Sequence, residues 1–236
     1  MQVWAAIDML EGSVVTLVQG RAHERTVWKE DPVRLAERWQ EEGADGLHVI
    51  DLDAAFQTGS NKEIILRIIR NAKVPVQVGG GVRDRETARE WLHSGAERIV
   101  VGTMAYKDPA ALTELLRDWG SSRVVVAADY KNGTIVAGGW TESQGIPIFD
   151  AVRQMEENGV MNILTTSVGR DGTGSGPDLE TISKICGATQ MNVIASGGIR
   201  DAHDLEKLQE AGADGAILGR ALYEERIRIS DVRGRH

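Results

Sequence analysis

The feature that most constrains this chain is that it nearly repeats itself. Val78-Gly79-Gly80-Gly81-Val82-Arg83 precedes Val101-Gly102-Thr103, and Ala195-Ser196-Gly197-Gly198-Ile199-Arg200 precedes Leu218-Gly219-Arg220. Gly79 recurs as Gly197, 118 residues later, and Gly102 as Gly219, 117 later; both offsets are close to half of the 236 residues. Ala6-Ile7-Asp8 returns as Ala127-Ala128-Asp129, 121 residues on. Two half-chains, approximately 1–120 and 121–236, built on one strand-then-glycine plan predict two phosphate cradles and a pair of equivalent carboxylates. That arrangement suits a substrate carrying phosphate at both ends, with acid–base chemistry between them.

A finer repeat sets the fold. Gly43-Ala44-Asp45-Gly46, Gly95-Ala96-Glu97 and Gly212-Ala213-Asp214-Gly215 each end a helical stretch and precede an apolar run, with Asn158-Gly159 filling the remaining slot more loosely. Glycine is expected just past a helix, where the backbone turns left-handed. Apolar runs occur at 3–7, 47–52, 76–78, 98–101, 124–128, 162–165, 193–195 and 216–218. Several are continuous rather than alternating, as in parallel strands covered on both faces. Amphipathic segments lie between them, among them 32–42, 62–71, 84–94, 109–119, 148–158, 179–187 and 202–211. Asp31-Pro32 and Asp108-Pro109 read as N-caps followed by proline in the first turn. Eight alternations in one α/β domain spanning 1–236 predict a closed (β/α)8 TIM barrel with internal two-fold symmetry. An open doubly wound sheet would alternate too, but only closure makes each repeat equivalent. The stretch 221–226 predicts about two helical turns, and the polar segment 227–236 reads as a truncated or disordered end.

Bulk properties exclude several function classes. The net charge is −8, which disfavours nucleic acid, because phosphodiester binding needs a positive surface. It leaves small phosphorylated ligands open, since a few backbone N–H groups bind those locally. Cys186 is the only cysteine, so an internal disulfide framework or a zinc–thiolate cluster is not expected. It reads as part of a core-packing helix rather than as a nucleophile. No apolar run reaches the length of a membrane span, and the first residues read as a strand rather than a signal peptide. The expectation is a cytoplasmic, monomeric protein with a small-molecule partner.

Chemistry in a barrel sits at the C-terminal ends of the strands. Asp8 ends the first strand and Asp129 the fifth, so the two face each other across the mouth. One carboxylate on each side of a substrate suits a proton removed on one face and delivered on the other; the competing reading is that each aspartate caps a turn. Ser196, Gly197 and Gly198 with Gly219 and Arg220 occupy the usual barrel phosphate position after strands seven and eight. Gly80 and Gly81 with Gly102 and Thr103 are their echo. Arg83 and Arg200 read as surface residues. Arg170-Asp171-Gly172-Thr173-Gly174-Ser175-Gly176 suits a binding loop after strand six, and Thr166 ends that strand. His48 reads as a packed core histidine. Trp140 follows the polar segment 131–139, and would either stack over a flat ligand or plug an apolar gap.

Taken together, Ala6-Ile7-Asp8, Leu17-Val18-Gln19-Gly20, His48-Val49-Ile50-Asp51-Leu52-Asp53-Ala54-Ala55, Gln77-Val78-Gly79-Gly80-Gly81-Val82-Arg83, Gly139-Trp140 and Arg170-Asp171-Gly172-Thr173 resemble the phosphoribosylformimino-aminoimidazole-carboxamide ribotide isomerases of histidine biosynthesis. The resemblance covers nearly the whole chain. It implies a two-fold symmetric barrel that performs an Amadori rearrangement of a bisphosphorylated aminoaldose without cofactor or metal. By motif, Asp8 would be the general base and Asp129 the general acid, with Thr166 near the reacting centre. Asp171, Trp140 and Gly20 would meet substrate, and Gly176 would join the second phosphate site. The chain departs from the family pattern at Thr16, where many members carry arginine or lysine, and at Ser167, where an acid is common; Gly174 and Asp178 stand where leucine and asparagine are frequent. The related imidazole glycerol phosphate synthase cyclase fits less well at Ala6-Ile7-Asp8 and Thr16. A bifunctional enzyme that also isomerises phosphoribosylanthranilate would often carry arginine where Gly138 stands. A non-catalytic phosphosugar-binding barrel would have no need of both Asp8 and Asp129.

Overall fold

Continuous apolar runs become strands buried on both faces. In the computed structural model, which describes residues 1–230, the chain forms β1 (Gln2–Leu10), β2 (Ser13–Val18), β3 (Arg21–Trp28), β4 (Gly46–Asp51), β5 (Val76–Gly79), β6 (Arg98–Val101) and β7 (Val124–Ala127). Then follow β8 (Tyr130–Lys131), β9 (Thr134–Ala137), β10 (Glu142–Pro147), β11 (Asn162–Thr166), β12 (Asn192–Ser196) and β13 (Gly215–Leu218). Eight of them run parallel in the order β1, β4, β5, β6, β7, β11, β12, β13. The last pairs back onto the first, with Gln2 opposite Gly215 and Ala5 opposite Leu218, so the sheet closes. The fold is a (β/α)8 TIM barrel.

Helices cover the outside. The helix Pro32–Glu41 shows why they form where they do. Asp31 accepts hydrogen bonds from the Val33 and Arg34 backbone N–H groups, Pro32 occupies the first turn, and Val33, Leu35, Ala36 and Trp39 turn inward. The cap satisfies donors a helix start leaves free. The apolar stripe carries most of the stability, since emptying a site such as fully buried Leu35 costs about 2–5 kcal/mol. The barrel lumen has its own core of Trp4, Ala6, Val100, Val125, Ala127, Leu164, Ile194 and Ile217. Trp4 fills its floor, and residue 46 must be glycine because a Cβ there would lie 2.3 Å from the indole. The Arg98 guanidinium lies 4.5 Å from the Trp4 ring centre, so the lumen is packed below and opens only above.

Three features differ from the sequence-based expectations. The loop after β1 is a β-hairpin, because β1 continues to Leu10 and pairs antiparallel with β2, which pairs with β3. The segment 131–139, expected as an irregular loop, forms with its neighbours a separate three-stranded sheet of β8, β9 and β10. Both extensions follow the strands that carry the paired aspartates. At the end of the chain, the helix Arg220–Tyr223 is one turn rather than two. Ile227 and Ile229 are buried, so the segment after it is tied to the core by apolar contacts at alternate positions; residues 231–236 of the expected disordered tail lie outside the described residues. Among the described residues, no helix is long and apolar enough to cross a membrane.

Candidate active site

Asp8 stands on β1, Asp129 directly after β7, and Asp171 in the loop after β11. β1 and β7 are four strands apart in a ring of eight, so their aspartates face each other. All three carboxyls line one cavity of about 800 Å³ at the C-terminal mouth of the barrel, large for a small-molecule site. Enclosure removes solvent from each. Desolvation pushes Asp8 up from its usual 3.8 to about 7. Asp129 rises to about 6 by the same cause, held back by hydrogen bonds from Thr166 and Trp140. Asp171 rises to about 7, through desolvation and then the negative charges of Asp8 and Asp129. Carboxyls poised near neutrality can hold or release a proton at working pH, as acid–base catalysis requires.

The indole N–H of Trp140 donates to Asp129 Oδ2 at 2.7 Å. Trp140 itself has φ of 67°, a left-handed backbone that is costly for a bulky residue. Its ring lies over Gly20, where a Cβ would come within 2.6 Å of it. Gly20 thus admits the tryptophan from across the mouth. The Gln19 backbone N–H donates to the Asp171 carbonyl at 3.0 Å, and a Cβ on Gly172 would lie 2.2 Å from the Leu17 carbonyl oxygen. Three loops, from opposite sides of the barrel, therefore interlock above the carboxylates.

The two glycine clusters are built alike. Gly80 and Gly81 have φ of 86° and 75°, and Gly197 and Gly198 have 90° and 86°. Each pair presses on the preceding strand-to-helix loop: a Cβ would lie 2.2 Å from the Asp51 carbonyl oxygen at Gly80, and 2.8 Å from that of Ser167 at Gly197. Asp51 is locked in turn by the Asn61 backbone and side-chain N–H groups, at 2.8 Å each. Gly102 and Gly219 each precede a single-turn helix and share an uncommon backbone, φ −109° and ψ −94° against φ −107° and ψ −111°. Close backbone with exposed N–H groups at a strand end is how barrels hold phosphate.

Other expected residues have different surroundings. The Gly176 N–H is engaged by the Gly198 carbonyl at 2.9 Å, so it braces the second cradle from behind. Arg220 donates to Glu224 at 2.6 Å and to the Gly172 carbonyl at 2.7 Å, which turns its guanidinium to the loop. The Thr103 hydroxyl accepts from the Gly138 N–H at 3.0 Å. Arg83 reaches the Ala55 carbonyl at 2.8 Å on the mouth's rim, and Arg200 is paired with buried Asp204. His48 is buried, bonded to Gln77 at 2.8 Å and pushed down to about 4 by desolvation; it is packed and neutral, as expected, yet also touches the cavity. Thr16 lines the cavity and accepts from the Trp28 indole N–H at 3.2 Å. Cys186 is half-buried in the helix Leu179–Ala188, its thiol pushed up to about 11 by burial, which leaves it a poor nucleophile.

Sequence reasoning missed Glu224 and Arg226, which line the mouth and form an ion pair at 2.6 Å. It also missed Tyr106 and Tyr223, although these share the 117-residue offset of Gly102 and Gly219.

The chain is similar over its length to known proteins. Residues 2–228 match the family described as Histidine biosynthesis protein. A relative from Nitrosopumilus maritimus, named 1-(5-phosphoribosyl)-5-((5-phosphoribosylamino)methylideneamino) imidazole-4-carboxamide isomerase, is 41% identical over 233 residues, covering 99% of this chain and 98% of its own. Isomerases of the same name from Thermus thermophilus and Listeria monocytogenes are 41% and 39% identical, each aligning with 98% of this chain and with 98% and 97% of their own lengths. With its barrel, its repeated glycine cradles and these full-length matches, the chain belongs to the histidine biosynthesis protein family and, within it, to the imidazole-4-carboxamide isomerases.

Proposed function

We propose that this enzyme converts N′-[(5′-phosphoribosyl)formimino]-5-aminoimidazole-4-carboxamide ribonucleotide from aminoaldose to aminoketose, with Asp129 as general acid and Asp8 as general base. One observation carries the reading: two facing carboxyls, each raised toward neutrality, stand in a cavity whose rim holds both glycine cradles. The cradles take the two phosphates and stretch the substrate between them. Asp129 protonates the ribose ring oxygen; the C1′–O bond breaks and the amine lone pair forms a protonated Schiff base. Asp8 then removes the C2′ proton; the C–H electrons form a C1′=C2′ double bond and the C=N π pair returns to nitrogen, giving an enolamine. Tautomerisation to the ketone returns a proton to carbon 1′. The protein needs no redox partner, because the hydrogen lost at one carbon is regained at its neighbour.

Supporting groups follow from the geometry. Thr166 and Trp140 hydrogen-bond Asp129 and orient it. Asp171 closes the remaining side of the cavity and meets a substrate hydroxyl or amide. The interlocked loops exclude water, which protects the Schiff base from hydrolysis.

The test supplies the purified protein with the aminoaldose and follows conversion through a coupled cyclase. Asp8→Asn and Asp129→Asn should each lower kcat about 10²–10⁴-fold, the worth of general acid–base catalysis, with KM little changed. Normal turnover by either variant removes that aspartate from the mechanism. Gly138 stands where bifunctional relatives often carry arginine, so the proposal is confined to this substrate; turnover of phosphoribosylanthranilate in the same assay would widen it.

A further inference from the structure

Each short helix that opens at a cradle, Thr103–Lys107 and Arg220–Tyr223, carries a tyrosine as its fourth residue. The Tyr106 hydroxyl donates to the Ala127 carbonyl at 2.9 Å, and the Tyr223 hydroxyl to the Ala6 carbonyl at 2.7 Å. Ala127 lies two residues before Asp129, and Ala6 two before Asp8. The tyrosines follow Gly102 and Gly219 by four residues, one helical turn. Both halves thus repeat the same link, and each runs from a cradle to the next strand around the barrel: first cradle to Asp129, second cradle to Asp8. The contact is close enough for the aspartates to act on the phenols. Burial, and then the charge of Asp129, pushes Tyr106 up; burial, and then the charge of Asp8, does the same to Tyr223. Both phenols therefore stay protonated donors at any working pH.

We infer that Tyr106 and Tyr223 are positioning residues that fix the strand ends bearing Asp129 and Asp8 against the helices seating the two phosphates. A phosphate that orders its helix orders the tyrosine, and through its hydroxyl the peptide just before the aspartate. Pairing is specific: the first phosphate sets the acid that opens the ring, and the second sets the base that takes the C2′ proton. This rests on the two-aspartate reading above. A neutral hydrogen bond contributes little to net stability, but misplacing a reacting group by about 1 Å can cost about 10²-fold in rate. Loss of the hydroxyl should therefore be felt in kcat far more than in folding.

The experiment compares Tyr106→Phe and Tyr223→Phe with wild type, using substrate carrying protium or deuterium at C2′. Both variants should lose about 10-fold or more in kcat with KM within about two-fold. Tyr223→Phe slows proton abstraction, so its primary isotope effect on kcat should rise. Tyr106→Phe slows ring opening, so its isotope effect should fall toward one. Replacing either tyrosine by p-aminophenylalanine, which keeps a donor at the ring tip, should restore most of kcat; this arm stands even where a Phe variant folds poorly. The inference is overturned if both Phe variants turn over within two-fold of wild type, if their isotope effects move the same way, or if the donor-bearing replacement restores nothing. Should Asp8→Asn and Asp129→Asn be inactive while the tyrosine variants behave as wild type, only the inference fails; should the Asn variants turn over normally, the two-aspartate reading fails first.

Discussion

Replacing Asp8 by asparagine should stabilise the protein while it slows turnover. In the fold, desolvation lifts Asp8 from 3.8 to about 7, so the native state binds its proton more tightly than the unfolded chain does. The contribution to stability is fully present below pH 3.8 and is lost as pH rises through about 7. At pH 8 the ionised carboxylate costs up to about 4 kcal/mol, taking about 1.36 kcal/mol per pH unit between the two values. Water reaching the tip of the side chain through the mouth screens part of this, which places the expected gain of Asp8→Asn at about 2–4 kcal/mol. For a chain of this size that is a rise in Tm of about 5–15 °C. At pH 5 the carboxyl is already largely protonated in the native state, and the gain should shrink to less than half. The assay is thermal unfolding of both proteins at pH 8 and pH 5, beside turnover at pH 8. Equal Tm values at pH 8, or one gain at both pH values, would refute the premise that a desolvated charge stands on β1.

Two further outcomes are expected. The pH profile of kcat/KM should be bell-shaped, with limbs near 6 and 7 belonging to the Asp129–Asp8 pair; Trp140→Phe, which removes a donor holding Asp129 down, should move a limb upward, and an unmoved profile would dissociate the indole from the acid. Gly80→Ala places a methyl 2.2 Å from a backbone oxygen at φ of 86° and should weaken competitive inhibition by inorganic phosphate as well as stability, whereas Gly133→Ala, with φ of 77° and open space around it, should cost about 1–2 kcal/mol and leave inhibition alone; equal behaviour of the two would detach Gly80 from a phosphate site.

Much of this molecule could be read from one-dimensional pattern. Closure of the barrel followed from eight apolar runs and the recurring glycine–alanine pairs, since parallel strands must be apolar on both faces. The facing positions of Asp8 and Asp129 followed from their common offset. The hairpin β2–β3 escaped notice because β3 is mostly exposed, so its burial pattern lacks the strong alternation that marks a half-buried strand. The sheet of β8–β10 escaped for a similar reason: six-residue β10 is interrupted by Gly145 with φ of 68°. Gly176 entered the second phosphate site by resemblance, and the bond from its N–H to the Gly198 carbonyl, which ties the loop to that cradle, was not legible in the chain.

Periodicity and internal repetition, being properties of neighbours along the chain, were enough to set the architecture, the two cradles and the strands on which the aspartates stand. The proton affinities of those aspartates, the reach of Trp140 to Asp129, the seat of its ring on Gly20 and the tyrosine links from helix to strand end were settled by tertiary structure alone. Each depends on distance and exclusion of water between residues far apart in the chain, and neither quantity exists until the barrel closes.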